Sequence, residues 1–192
     1  MAADWTLFEL CNGLAGRSPA WDTLIRVLIN DYGITTALVL VLFGLWFTGK
    51  SPQAREQNQH AVFSAILSVL LANLFVKALN LLWYRPRPFA YRTVTLLFYR
   101  PSDSSFPSNP TSIGFCIATA VWLFNRKLGS VLYVLASLLG LARLCGGVHY
   151  PSDIVGGAVI GILSAYVVVR KIPYLDRLWA AIIQRIRQLM LA

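Results

Sequence analysis

Residues 32–48 read YGITTALVLVLFGLWFT, without one charged side chain. A helix needs roughly 17–25 apolar residues to cross a bilayer, and this run meets that length. Working outward, four more apolar runs follow, at about 61–84, 112–124, 130–142 and 154–169. The two between 112 and 142 are short, so flanking residues must complete them, as far as Cys145 for the second. The composition agrees. Of 192 residues, 57% are hydrophobic and only 13% charged, whereas an ordinary soluble domain carries roughly a quarter charged residues. That excludes a soluble globular enzyme, and it excludes disorder, which needs a polar chain. The expected fold is all-α: a polytopic membrane helix bundle of about five spanning helices, with amphipathic interfacial helices at both ends. Gly140, Gly156, Gly157 and Gly161 in the later runs suit close helix packing.

The two ends of the chain read differently. Residues 4–30 form two amphipathic segments split by Gly16-Arg17-Ser18-Pro19. Trp5, Leu7, Phe8, Leu10 and Leu14 are interrupted by Asp4, Glu9 and Asn12; Trp21, Leu24, Ile25, Leu28 and Ile29 share their helix with Asp22 and Arg26. Such helices lie in the membrane interface. Toward the C-terminus, Leu175, Leu178, Trp179, Ile182, Ile186, Leu189 and Met190 recur at helical spacing, with Arg177, Arg185 and Arg187 off the stripe. A basic amphipathic helix on the membrane is the simplest account, a partner-binding helix the alternative. The expected organisation is one integral-membrane domain over 1–192, divided into interfacial helices (1–30), a catalytic bundle (31–172) and the terminal helix (173–192). The start lacks a basic region, so no cleavable signal peptide is expected. Cys11, Cys116 and Cys145 are odd in number and widely spaced; they read as small buried residues, not a disulfide framework or zinc site.

The 17 basic residues against 8 acidic ones, a net charge of +9, sort by side. Lys50 and Arg55 lie between the first two runs, Arg126 and Lys127 between the third and fourth, Arg170 and Lys171 after the fifth. If the runs alternate, these ends share one side, which the positive-inside rule makes cytoplasmic. The opposite side then carries Asp31 and the 85–111 and 143–153 stretches. It also carries Arg85, Arg87, Arg92, Arg100 and Arg143, which need another task there. No nucleic-acid motif is present and the basic residues are dispersed, so nucleic acid is not an expected partner.

That task is legible in three clusters at one depth. Lys77 precedes Arg85-Pro86-Arg87-Pro88; Ser105-Phe106-Pro107-Ser108-Asn109-Pro110-Thr111-Ser112 opens the third run; Arg143, His149 and Asp153 link the fourth run to the fifth. Ionisable groups at membrane depth are costly and usually functional. Lys77, Arg85 and Arg143 are cations suited to a phosphoryl group. Ser108, Asn109 and the backbone N–H groups of a helix start add anion donors. His149 with Asp153 supplies a nucleophile or base with an orienting carboxylate. A salt-bridge network is the purely structural alternative.

These residues resemble the type-2 phosphatidic acid phosphatase superfamily of integral-membrane lipid phosphatases. That family carries Lys, several residues, then Arg-Pro; Pro-Ser-Gly-His; and Ser-Arg, five residues, His, three residues, Asp. The third pattern is matched by Ala142-Arg143, His149 and Asp153. The first is matched by Lys77 and Arg85-Pro86 with seven intervening residues, where six is commoner; the second stands as Pro107-Ser108-Asn109-Pro110. Across about residues 20–172 the chain is most similar to bacterial undecaprenyl pyrophosphate phosphatases of the bacitracin-resistance type. The resemblance implies that His149 is the nucleophile forming a phosphohistidine, with Asp153 holding its ring. Lys77, Arg85, Arg143 and Ser108 would bind phosphate, with no metal or cofactor. It implies a bacterial inner-membrane enzyme with its site facing the periplasm or outside, its C-terminus cytoplasmic, and a phosphorylated lipid as substrate.

One departure bears on the substrate. The family's second pattern ends in a His that protonates the leaving group, and here that position is Pro110. An alkoxide leaving group, with a conjugate-acid pKa near that of water at about 15.7, needs an acid, and losing one costs about 10²–10⁴-fold. A phosphate monoester, with a second pKa of about 6, departs without one. A diphosphate is therefore the expected substrate. The alternatives are a phosphatidic acid or phosphatidylglycerol phosphate phosphatase, a lipid phosphotransferase, and an inactive binder or transporter of lipid phosphates. Pro110 also suits a first helical turn, where its missing N–H costs nothing.

Overall fold

The computed structural model describes residues 2–172 and 174–189, and these fold into helices with no strand among them. The helices are α1 (Ala2–Asn12), α2 (Pro19–Ile29), α3 (Gly33–Phe47), α4 (Pro52–Leu82), α5 (Pro88–Tyr91), α6 (Asn109–Phe124), α7 (Arg126–Cys145), α8 (Pro151–Lys171) and α9 (Tyr174–Gln188). The five apolar runs correspond to α3, α4, α6, α7 and α8.

Proline sets several starts. It occupies the first turn of α2, α4, α5, α6 and α8, where its fixed φ is already helical and its missing N–H has no partner to lose. Asn125 both ends α6 and begins α7: its N–H bonds to the Val121 carbonyl and its side chain accepts from Leu128 N at 3.2 Å. That one residue makes the tightest turn of the bundle.

Helices α4, α7 and α8 are each long and apolar enough to cross a membrane. Helices α2 and α3 bend by 46° at their junction and would make a fourth crossing together. Helix α6 has 16 residues, about 24 Å at 1.5 Å per residue, and it is short because it is the centre of the bundle. Thr111, Ser112, Gly114 and all of 116–121 on it are buried, and α4, α7 and α8 pack around it. Large apolar side chains on the outer faces, among them Phe43, Leu70, Leu74, Val134 and Leu163, are exposed, as a lipid-facing belt requires.

The amphipathic ends are spent on the fold. In α1, Phe8 and Asn12 are buried, and the helix packs on α7 and α8. In α9, Trp179 and Ile183 are buried; Trp179 stacks on Phe63 of α4 at 5.0 Å, and Arg187 pairs with Glu56. Trp179 of the apolar stripe thus meets α4, while Leu178 and Leu189 of the same stripe stay exposed. Met190, the last residue of that stripe, lies outside the described residues.

Candidate active site

The site is built around the link between α7 and α8. Gly147 takes φ +83° there, the left-handed region that a side chain disfavours. A Cβ on it would also stand 2.9 Å from the Thr95 carbonyl. Val148 is fully buried beside it, and Pro151 then starts α8. This turn places His149 and Asp153 one helical turn apart at the same helix start, both buried.

The hydrogen bonds of His149 assign its tautomer. Nδ1 lies 2.9 Å from the Ser105 carbonyl oxygen. A carbonyl only accepts, so Nδ1 carries the proton. Nε2 then holds a lone pair, toward which Arg87 donates at 3.2 Å. Asp153 Oδ2 stands 3.5 Å from Nδ1; it accepts from Tyr150 N at 2.8 Å and from the Ser105 hydroxyl. The other oxygen, Oδ1, accepts from Arg85 at 2.6 Å. Burial pushes the imidazole below its ordinary pKa, Arg87 and Arg143 push the same way, and Asp153 opposes them. The ring is held neutral, with Nε2 as its basic nitrogen.

Three arginines surround this pair, and each has a carboxylate from a different peripheral segment. Arg87 is buried; it donates to Asp103 Oδ1 at 2.8 Å, Asp103 O at 3.1 Å and Val148 O at 2.9 Å. Arg143, buried at the end of α7, pairs with Asp31 and lies 4.7 Å over the Phe98 ring. Its Nε has no partner among the described residues. Arg85 binds Asp153, Ser152 and Asp4 and lies over the Tyr150 ring at 4.2 Å.

The start of α6 completes the site. Ser108 is buried at its N-cap; its N–H donates to the Asp153 carbonyl at 3.0 Å and its hydroxyl lies 2.9 Å from that of Thr111. Asn109 Oδ1 is buried with no partner among the described residues. Pro110 sits in the first turn, as its chemistry favours. A cleft of about 650 Å³ opens beside Arg85, walled by Trp5, Trp83, Tyr84, Tyr91 and Tyr150. Among the described residues no three His, Cys, Asp or Glu side chains gather as metal ligands. His60 lies at the other end of the bundle, 3.8 Å from Asp176.

Of the residues singled out in the sequence, ion pairs and hydrogen bonds join His149, Asp153, Arg85 and Ser108, with Arg143 at the end of α7 acting on the His149 ring and Asn109 next to Ser108 at the start of α6. Lys77 is exposed on α4, and no hydrogen bond or ion pair among the described residues ties it to them. Arg85 lies behind Asp153, on the oxygen turned away from the imidazole. Arg87, left beside the sequence-derived set, is the arginine that touches Nε2 of His149. The commoner six-residue spacing carried that signal: six residues before Arg87-Pro88 intervene back to Asn80, where the family pattern has Lys. Asn80 Oδ1 is buried and has no partner among the described residues. Ser105 stands in the second sequence cluster without a role of its own, and Asp4 reads there only as a break in an apolar run.

A model described as the PAP2 superfamily matches residues 61–177. Undecaprenyl-diphosphatase BcrC of Bacillus subtilis is 30% identical over 191 residues, 95% of this chain and 95% of that protein. The bacitracin transport permease protein BcrC of Bacillus licheniformis is 36% identical over 170 residues, 88% of this chain and 80% of that protein. The crystal structure of Aquifex aeolicus LpxE superposes with a TM-score of 0.70 at 30% identity, covering 88% of this chain and 96% of that one.

Proposed function

This chain belongs to the PAP2 superfamily, and on that premise we propose that it is a multi-pass bacterial membrane lipid phosphatase that hydrolyses undecaprenyl diphosphate to the monophosphate. The observation that carries this reading is the buried, unprotonated Nε2 of His149, held by Arg87 and close to the charge of Arg143. Undecaprenyl diphosphate comes from the relatives that cover nearly the whole chain.

His149 Nε2 attacks the terminal phosphorus. The N–P bond forms as the bridging P–O bond breaks, and the lipid monophosphate leaves. Water then cleaves the N–P bond to give inorganic phosphate and restores the imidazole. Arg87 and Arg143 bind the equatorial oxygens, where charge gathers. Ser108, Asn109 and the first turn of α6 supply further donors for them. Asp153 fixes the ring through the shared Ser105 contacts and stabilises the positive charge it gains. In this reading Arg85 serves Asp153, and Lys77 stands at the margin of the site.

Pro110 bears on the choice of substrate. No acid stands at that position, and Asp103 is paired with Arg87. Burial pushes Tyr150 up to about 12, with Arg85 lowering and Asp153 raising it; its phenol is a weak acid for an alkoxide. A diphosphate needs none. A second reading, a lipid-phosphate binder without turnover, is favoured by Pro110 and Asn80 standing where the family has His and Lys.

The test is phosphate release by purified, detergent-solubilised protein from a panel of lipid monophosphates and diphosphates. The expected result is turnover of the diphosphate, falling by about 10⁴-fold or more in His149→Ala, as loss of a nucleophile does elsewhere. Undiminished release by that variant refutes the mechanism. No release from any lipid by the native protein selects the binder.

A further inference from the structure

We propose that Asp4, carried by α1, is a positioning residue of this site: it holds Arg85 against Asp153 and so fixes the imidazole of His149. The proposal rests on the reading of His149 as nucleophile. It concerns a helix outside residues 61–177, which the family model matches.

Three donors from distant parts of the chain converge on one carboxylate. Asp4 Oδ1 accepts from Ser152 N at 3.0 Å; Oδ2 accepts from the Ser152 hydroxyl and from Arg85 at 2.6 Å. The carboxylate therefore sits at the N-terminus of α8, where the helix dipole favours negative charge. Burial raises its pKa, but the bonds from Ser152 and Arg85 outweigh that and hold it below the usual range, so it is ionised. The same Arg85 reaches both Ser152 and Asp153 Oδ1 through its other nitrogen. The chain of contacts runs from Asp4 to Arg85, to Asp153, to His149.

Helix α1 is clamped so that Asp4 arrives with little freedom. Trp5 meets the Tyr150 ring edge-on at 5.2 Å, and Phe8 is buried beside it. Arg92 lies 4.4 Å over Trp5 and pairs with Glu9. Asn12 donates to the Thr95 and Cys145 carbonyls at 2.7 and 2.9 Å and accepts from Thr95 N at 3.1 Å. A helix needing only to cover an apolar surface has no use for an ionised side chain held by three donors.

Charge supplies the function. Arg85 is shared between two carboxylates, Asp4 and Asp153. With Asp4 neutral, Arg85 draws wholly on Asp153, which then counters less of the positive field at His149. The charged and titratable groups around that ring are Arg87 from the loop before α6, Arg143 from α7, and Tyr150 and Asp153 at the start of α8. Asp103, Asp31 and Arg85 are paired to them.

Asp4→Asn keeps an oxygen for Ser152 and removes the charge. The chain has two histidines, and His60→Gln assigns their resonances, so ¹⁵N-histidine NMR reads His149 whether or not a substrate is in hand. Asp4→Asn should lower the titration midpoint of His149 and leave Asp4→Glu near the native value. It should reduce kcat about 10-fold with KM within about 2-fold, the size seen when the outer partner of a working histidine is removed. Should Asp4→Asn not fold, Ser152→Ala should move the midpoint the same way by less. An unchanged midpoint and tautomer in the foldable variant, or a fall in melting temperature with kcat intact, overturns the proposal and makes Asp4 only an anchor for α1. Failure of the native protein to release phosphate leaves the NMR readout standing, so the two readings fail separately.

Discussion

An imidazole nitrogen beside two guanidinium charges can act as a nucleophile only while it stays unprotonated, and burial favours that state for His149. Its folded pKa lies below the ordinary value, so protonation favours the unfolded chain. The stability His149 contributes is fully present above about pH 6.5, its unfolded value, and is lost as pH falls toward the folded pKa. The same direction governs rate. The acid limb of kcat/KM should have its midpoint below about 6.5, and His149 should show that midpoint directly by NMR in the free protein; a midpoint above the ordinary range refutes the neutral nucleophile. The spacing of Arg143, His149 and Asp153 made this triad legible in the sequence, because five and three intervening residues carry one turn between two helices. The choice between Arg85 and Arg87 was not. Two prolines hold that segment extended, with Arg87 at φ −78°, ψ 161°, close to a polyproline helix with three residues per turn. Side chains two apart there point in different directions, and only the packing of the loop says which one meets the imidazole.

Helix α6 shows the same limit for a whole element. Its apolar run was visible but short, and its true start at Asn109 comes earlier because Pro110 can stand in a first turn. Its neighbours come unusually close. A Cβ on Gly161 of α8 would lie 2.3 Å from the Ser112 carbonyl, and one on Gly157 would lie 2.4 Å from that of Ser108. Both clashes are with backbone, so the helices must part. Gly161→Ala should cost about 1–3 kcal/mol, read as a lower melting temperature in detergent; a melting temperature equal to the native one would show that α6 and α8 are not so tightly apposed. Because Ser108 also bonds to Asp153, that parting would reach the site. Helix α9 is the complementary case. Its periodicity revealed an amphipathic helix, but which surface takes the apolar stripe depended on Phe63 and Glu56 of α4, far away in the chain.

Over the whole molecule the charges separate into two ends. Lys50, Arg126 and Lys127 line one cleft, while Arg85, Arg87, Arg143 and their carboxylates gather at the other end. From the positive-inside rule we propose that the first end faces the cytoplasm. A membrane-impermeant thiol reagent added to intact cells should therefore label Ser102→Cys and leave Lys127→Cys unlabelled until the cells are opened, in a Cys11→Ala background. The reverse pattern would invert the orientation and put the site inside.

The sequence by itself determined that the chain is an all-helical membrane bundle, since length and apolarity are local properties that a bilayer reads one segment at a time. It also placed His149 and Asp153 at one helix start, since they are neighbours along the chain. Only the tertiary structure decided which arginine meets Nε2 of His149 and that Asp4 reaches Arg85 and Ser152 from α1. Those are contacts across as many as 148 positions, set by how buried faces and carboxylate partners find one another, and no local spacing encodes them.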